Sequence, residues 1–424
     1  MNCPTAAGDR RVTGACAAHL SGLIRGLPDP KGSWPVTGMP RSDPFPGQRR
    51  SAATGSSPLR GKESDAVCTI VAHTHPFVIG VDTHTKTHTY AVLAANGEHL
   101  GTEAFPNTHA GRTRAIAWAA RRTGGDLAAL WVIEGIGSYG AQLARQAGLA
   151  GYRAVEAARM GRAGRRGIGK SDPIDARRIA AAVLPLLEEQ LRTPRTDEGI
   201  RAATQILLTA RDELTRERTR AVNALTALVR IADLGMDARH PLGAKKIAEI
   251  SRWRPREEDL AAATARTEAV RLARRILALD AEITDNTNRI GELVEASPAA
   301  GLVEETGIGP VTAATVLVAW SHPGRVRDEA AFAALAGVNP IPASSGNTTR
   351  HRLNRGGDRR LNRALNVIAM VRMVHHPQTR AYADRRRTEG KTDREIRRCL
   401  KRYLARRLYR HLNAAAVEKG VDWI

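Results

Sequence analysis

Four carboxylates stand where ionised groups are uncommon. Asp82 closes the apolar run Phe77-Val-Ile-Gly-Val81, a poor place for a charge unless something neutralises it. Glu134 closes Leu130-Trp-Val-Ile133 in the same way, just ahead of Gly135-Ile-Gly137. Asp172 and Asp175 are three residues apart at the start of a helical stretch, so both face one side. Acids from two strand ends and one helix start can converge on Mg²⁺, a hard cation that prefers oxygen ligands. A pair of such ions clamps the attacking and leaving oxygens of phosphoryl transfer. Each acid also has a plainer reading. Asp172-Pro-Ile-Asp175 makes a good helix start, with Asp172 as N-cap, Pro173 at N1 and Asp175 in the acid-favoured first turn. Asp82 and Glu134 read equally as strand ends at the surface. His84 and His88 have metal-like spacing, but on a strand or turn they read as surface polar residues. The joint occurrence of the four acids, in a strongly basic chain, favours the metal.

Two glycine-rich stretches and one serine loop complete the inventory. Gly164-Arg-Arg-Gly-Ile-Gly-Lys170-Ser171 satisfies the Walker A pattern, yet it does not come straight off a buried strand, and no Walker B strand follows. Its Arg165, Arg166 and Lys170, with Arg159 and Arg162, serve better as a phosphate-contacting loop beside the carboxylates. Thr306-Gly307-Ile-Gly309-Pro310 looks like a helix-hairpin-helix, whose glycines let backbone amides approach phosphates. The same residues also read as a glycine cap and a proline start joining two helices. Ser344-Ser345-Gly346 lies ahead of Arg350-His-Arg352 and Arg355-Gly-Gly-Asp-Arg359-Arg360. Chemistry alone makes this a phosphate-binding loop. A serine there becomes a nucleophile only with a base or metal to activate it, and His351 is the local candidate base.

The 65 Lys plus Arg against 43 Asp plus Glu, with a net charge of +22, point to a polyanionic partner, most simply nucleic acid. Arg372 to Ile424 is especially basic and interleaved with Tyr382, Tyr403 and Tyr409, a pattern that resembles a nucleic-acid surface. Four isolated cysteines exclude a disulfide scaffold or zinc ribbon and fit the reducing cytoplasm. No apolar run reaches the roughly 20 residues of a membrane span.

These residues need a scaffold. Residues 1–70, rich in proline and glycine, read as a disordered tail or an over-extended gene start. From Val71, strands near 77–82, 88–93 and 98–105, a helix over 109–123, a strand at 130–133, a helix from about 138 and a strand at 152–155 predict a mixed sheet carrying helices. Leu207, Leu214, Ala221 and Leu228 recur every seven residues. Leu272, Ile276, Leu279, Ile283, Ile290 and Leu293 follow a 4-3 spacing, with Asn286 as the polar seam residue. Together these predict an antiparallel coiled pair over 186–298. A helical region with two final helices follows over 299–424.

Val81-Asp82-Thr-His84, Glu134-Gly-Ile-Gly-Ser-Tyr139, Lys170-Ser-Asp172-Pro-Ile-Asp175, Thr306-Gly-Ile-Gly309, Ser345-Gly346 and Arg355-Gly-Gly-Asp-Arg-Arg-Leu361 occur here in that order. In this the chain resembles the DEDD-type transposases of bacterial insertion sequences, the class of bridge-RNA-guided serine recombinases, over about residues 75–415. The resemblance implies a RuvC-like (ribonuclease-H-like) domain over 71–185, a coiled-coil insert and a C-terminal transposase domain. It implies that Asp82, Glu134, Asp172 and Asp175 bind Mg²⁺, and that Ser345 rather than Ser344 attacks DNA to give a phosphoserine link. A structured guide RNA and a composite site assembled in a homo-oligomer on element ends and target DNA follow from the same likeness. The expected nucleic-acid contacts are Arg165, Arg166, Lys170, Gly307, Gly309, Arg350, Arg352, Arg355, Arg359 and Arg360. The rival readings are a Holliday-junction-type nuclease that uses water and an inactive DNA-binding copy.

Overall fold

A computed structural model describes residues 69–158, 171–195, 198–345 and 351–418. After a single helical turn, α1 (Val71–Thr74), strands β1 (Phe77–Thr83), β2 (Thr87–Ala94) and β3 (His99–Pro106) form the expected antiparallel meander. Helix α2 (His109–Thr123) leads to β4 (Leu130–Ile133), and α3 (Ala141–Leu149) leads to β5 (Ala154–Glu156). Both later strands run parallel to β1, so the sheet is mixed, in the order β3-β2-β1-β4-β5. This topology is compatible with a ribonuclease-H-like domain.

The two faces of the sheet follow from the strand period of two. Ile79, Val81, Tyr90, Trp131 and Ile133 point into one core, where Tyr90 meets Trp131 edge-on at 6.2 Å between centroids. Val78, Leu130 and Val132 point into the other, against Ile179 and Ala180 of α4 (Asp172–Ala181). Gly80 shares that second face. A Cβ there would lie 2.2 Å from the carbonyl oxygen of Ala176 and 2.5 Å from the amide of Ala180. Only glycine admits so close a helix–strand contact.

Helices α5 (Gly199–Ile231) and α7 (Leu260–Glu295) run antiparallel, with α6 (Ala244–Ile250) between them in sequence. Their direction is fixed by cross-links of opposite sequence sense. Asn286 Nδ2 donates to the Leu207 carbonyl at 3.1 Å, Arg218 pairs with Asp280, and Arg275 donates to Glu217 at 2.8 Å. Ala269, Ile276, Leu279, Ile290 and Val294 are buried. On α5, Leu207, Leu208, Ala221, Leu225 and Val229 carry the buried stripe, whereas Leu214 and Leu228 are half-buried.

The C-terminal core gathers α8 (Pro310–Trp320), α9 (Glu329–Leu335), α10 (Arg359–His375), α11 (Pro377–Thr388) and α12 (Asp393–Glu418) around Trp320, Phe332, Leu365 and Leu408. Three helices close the chain where the sequence predicts two, because Pro377 ends one helical run and starts the next. Tyr382 is buried and its phenol is pushed up to about 12, chiefly by that burial. The Tyr409 hydroxyl donates to the Val326 carbonyl at 2.6 Å. These two tyrosines serve the core and are not surface stacking platforms. None of the described helices is long and apolar enough to cross a membrane.

At the junction of α9 and α10 the chain crosses itself. A Cβ on Gly357 would fall 2.2 Å from the Gly337 amide nitrogen, and Gly337 itself has a φ of 66°. Asn354 Nδ2 donates to Asn339 Oδ1 at 2.7 Å, and Asn362 Nδ2 donates to the Ala336 carbonyl at 2.7 Å. The intervening segment 341–352 belongs to a separate small unit, in which β6 (Ile341–Pro342) pairs with β7 (His351–Arg352).

Candidate metal centre

Strand alternation decides where Asp82 points. Two residues beyond Gly80, it shares the face covered by α4. Because Gly80 seats α4 directly on β1, the first turn of that helix arrives beside the end of the strand. One ligand atom from each of Asp82, His84 and Asp172 then falls within 4.8 Å of the others. His84 Nε2 lies 3.3 Å from Asp82 Oδ2 and 3.6 Å from Asp172 Oδ1. Asp82 is only 7% exposed. Burial pushes its carboxyl above the usual 3.8, His84 opposes that rise, and the neighbouring Asp172 and Asp175 add to it.

The plainer readings of Asp82 and Asp172 do not hold. Asp82 is buried instead of lying at the surface. The N-cap of α4 is Ser171, whose carbonyl accepts the Asp175 amide at 3.0 Å, which moves Asp172 inside the helix at N1. Its carboxylate is therefore not the cap and faces His84 instead. Asp175 is half-buried and sits 3.6 Å from the Arg178 guanidinium, close enough to Asp82 to act on it electrostatically. Glu134 is exposed and stands outside the trio. Its backbone is nevertheless tied to the site: its amide donates to the Val81 carbonyl at 3.0 Å and its carbonyl accepts the Thr83 hydroxyl at 2.8 Å.

The histidine pair divides. His84 joins the acids, whereas His88 is fully buried on β2 rather than at the surface, with its imidazole held below the usual 6.5 mainly by burial. The spacing drew attention to His84, but the surface-polar reading prevailed because its partner Asp172 comes from α4, nearly ninety positions later. Gly80 was missed, and its signal was a glycine inside an otherwise unbroken apolar strand.

The remaining expected contacts are scattered. Gly307 has a φ of 88° and a Cβ there would lie 3.1 Å from Val371 Cβ, so its glycine is required by the turn against α10. Gly309 is the N-cap of α8. Arg355, Arg359 and Arg360 are exposed around the start of α10, which Asp358 caps, and Arg360 pairs with Asp212 at 2.7 Å. Ser344, Ser345 and Arg352 are exposed within the small unit. Arg165, Arg166, Lys170 and Arg350, like residues 1–68, lie outside the described residues.

Two carboxylates and an imidazole converging in this way fit a divalent cation. The oxygen donors suit a hard ion, and the single nitrogen widens the choice toward Mn²⁺. The buried Asp82 is repelled by Asp172 and Asp175 in the ion-free protein, a repulsion that a cation between them relieves.

Residues 79–232 match a DEDD-type IS110 transposase domain, and residues 301–384 match the domain described as Transposase IS116/IS110/IS902 family. The chain is 32% identical over 274 residues to the insertion element IS900 uncharacterized 42 kDa protein of Mycobacterium paratuberculosis, which covers 53% of this chain and 67% of that protein. It is 37% identical over 106 residues to the insertion element IS110 uncharacterized 43.6 kDa protein of Streptomyces coelicolor, covering 24% and 26%. A third relative, the insertion element IS116 uncharacterized 44.8 kDa protein of Streptomyces clavuligerus, is 33% identical over 28% of this chain and 30% of its own length.

Proposed function

The chain belongs to the IS116/IS110/IS902 family of insertion-sequence transposases, and on that premise we propose that it cuts and rejoins DNA through a covalent phosphoserine intermediate. The convergence of Asp82, His84 and Asp172, with Asp175 at its edge, supports metal-dependent strand cleavage, and the serine step rests on the sequence resemblance. Asp82, His84 and Asp172 would hold divalent metal, Mg²⁺ in the first instance, with Asp175 and Glu134 as the further acids of the set. When bound, the metal supplies charge neutralisation at the oxygens of the scissile phosphate.

In this scheme the Ser345 hydroxyl attacks phosphorus. A P–O bond to serine forms as one P–O bond to deoxyribose breaks, the serine proton passes to a base such as His351, and the departing sugar oxygen takes up a proton. The reverse attack by a new strand end restores a phosphodiester and frees the serine, so the number of P–O ester bonds is conserved and no nucleotide hydrolysis is needed. Arg352, Arg355 and Arg359 would steady the phosphate. A structured RNA pairing with donor and target would supply the sequence choice, while the protein reads nucleic-acid shape. Serine and carboxylates from different copies would complete one site.

The carboxylate–histidine trio also suits a nuclease that activates water, which needs no serine. The test is to incubate wild type, Ser345→Ala and Ser344→Ala with element-end DNA and Mg²⁺, denature, and look for protein-linked DNA. An adduct lost only in Ser345→Ala supports the proposal. Undiminished cleavage without any adduct in Ser345→Ala replaces it with the water mechanism.

A further inference from the structure

Helices α5, α8 and α10 enclose a groove that the carboxylate site does not use. One part has a volume of about 400 Å³ and reaches from Gly137, in the loop after Glu134, to Arg195, Arg201 and Arg360. A second part of about 190 Å³ adds Arg211, Arg363 and Thr312, and the two share Leu208, Thr315 and Arg360 in their walls. The two adjoin at these shared side chains, and the second reaches the first turn of α8, just past Gly309.

The described walls hold five arginines and two aspartates. The aspartates offset two of these charges and leave an excess of three arginines. Asp358 accepts the Arg360 and Leu361 amides at 2.9 and 3.0 Å and lies 3.8 Å from Arg195, and Asp212 pairs with Arg360. Arg201 lines the first part and is only 5% exposed. Behind the wall, Arg325 donates to the Ala319 carbonyl at 3.0 Å. Its guanidinium is pushed down to about 10, first by burial and then by Arg195 and Arg201. The N-cap of α8 makes no side-chain hydrogen bond, and a helix start adds its own positive dipole.

We infer that this channel binds the phosphodiester backbone of a single nucleic-acid strand, leading it from the hairpin at Gly309 toward the loop that follows Glu134. Guanidinium forks match phosphate oxygens, and such contacts position a strand without reading its sequence. Several hundred cubic ångströms suits nucleotide-sized groups rather than a whole duplex. DNA and RNA share this backbone, so the channel's chemistry admits either. The inference rests on the nucleic-acid function proposed above.

The test compares wild type, the Arg360→Gln/Arg363→Gln double variant and Arg239→Gln. Arg239 removes the same kind of charge from an exposed loop outside the channel. Binding to single-stranded DNA, single-stranded RNA and duplex DNA is titrated from low to high salt. For the double variant the log–log salt slope on single strands is expected to fall by about 1.4, from about 0.7 per lost phosphate contact. Affinity at moderate salt should weaken about tenfold, with duplex binding and Arg239→Gln unchanged. Loss on one type of strand alone assigns the channel to that strand. An unchanged slope, an equal loss in Arg239→Gln, or an equal loss on duplex overturns the inference. If the double variant unfolds, Arg363→Gln alone, at an exposed position, carries the test with half the slope change. Mg²⁺-dependent cleavage of element DNA is scored in parallel. Normal cleavage by wild type with unaltered slopes sinks the channel and leaves the transposase reading intact, and altered slopes without cleavage do the reverse.

Discussion

Gly80 of β1 and Ala176 of α4 are in backbone contact, with room for no side-chain atom between them. This contact sets the height of α4 above the sheet, and hence the distance from Asp172 and Asp175 to Asp82. Gly80→Ala is expected to destabilise the protein by about 1–3 kcal/mol, the usual cost of overpacking. It should also reduce the thermal stabilisation that added Mg²⁺ or Mn²⁺ gives. Paired melts with and without the ion check this, and an equal ion response in the variant contradicts it.

Asp82 is a stability liability without metal. Its carboxyl titrates above its ordinary 3.8 in the folded protein, so folding favours the protonated form and ionisation at neutral pH costs stability. Ion-free protein should therefore gain stability from this group as pH falls through the raised value toward 3.8. Asp82→Asn should melt higher than wild type in chelator, gain nothing from divalent ions, and lose cleavage. A lower melting point in chelator would show that the ionised carboxylate supports the fold.

His84 distinguishes between metals. As the one nitrogen donor of the trio, it favours Mn²⁺ over Mg²⁺. His84→Ala is expected to weaken Mn²⁺ binding by about ten- to a hundredfold, the scale seen for groups that tune metal sites, with a smaller loss for Mg²⁺. Calorimetric titration of both ions reads the ratio. Equal losses would remove the imidazole from the ligand set.

Gly357→Ala addresses the crossing between α9 and α10. The added methyl would meet the backbone of Gly337 and Ala336, so the helix ends must part. The expected outcome is faster proteolysis between residues 338 and 356 at temperatures well below the melting point, with the β1–α4 site still responding to divalent ions. Unchanged proteolysis would show that the asparagine hydrogen bonds hold the crossing closed without the glycine contact.

Much of the sheet was legible because its strands alternate or run apolar between turn residues, and α2 begins and ends where Thr108 and Gly124 cap it. Asp82 was legible as a charge in a costly place, and Asp172 as one of two acids on one side of a helix start. His84 stood out by its spacing to His88 but read as surface polar, since one of its two acidic partners, Asp172, comes from a distant helix. The basic tyrosine-rich C-terminus misled for a related reason: Tyr382 and Tyr409 have an apolar body and a polar tip, and sequence does not tell whether the tip finds solvent or a carbonyl. The arginine channel was invisible, as its walls come from three helices whose meeting is a property of the core beneath them.

The self-crossing at Gly337 and Gly357 also bears on how this protein can diversify. Because the backbones of these two glycines touch, the stretch of chain between them is a loop closed at its ends. Lengthening it costs little, about 0.6 kcal/mol for each doubling, and leaves the helical anchor unaltered. Insertions between residues 337 and 357 are therefore the length changes this region should tolerate best.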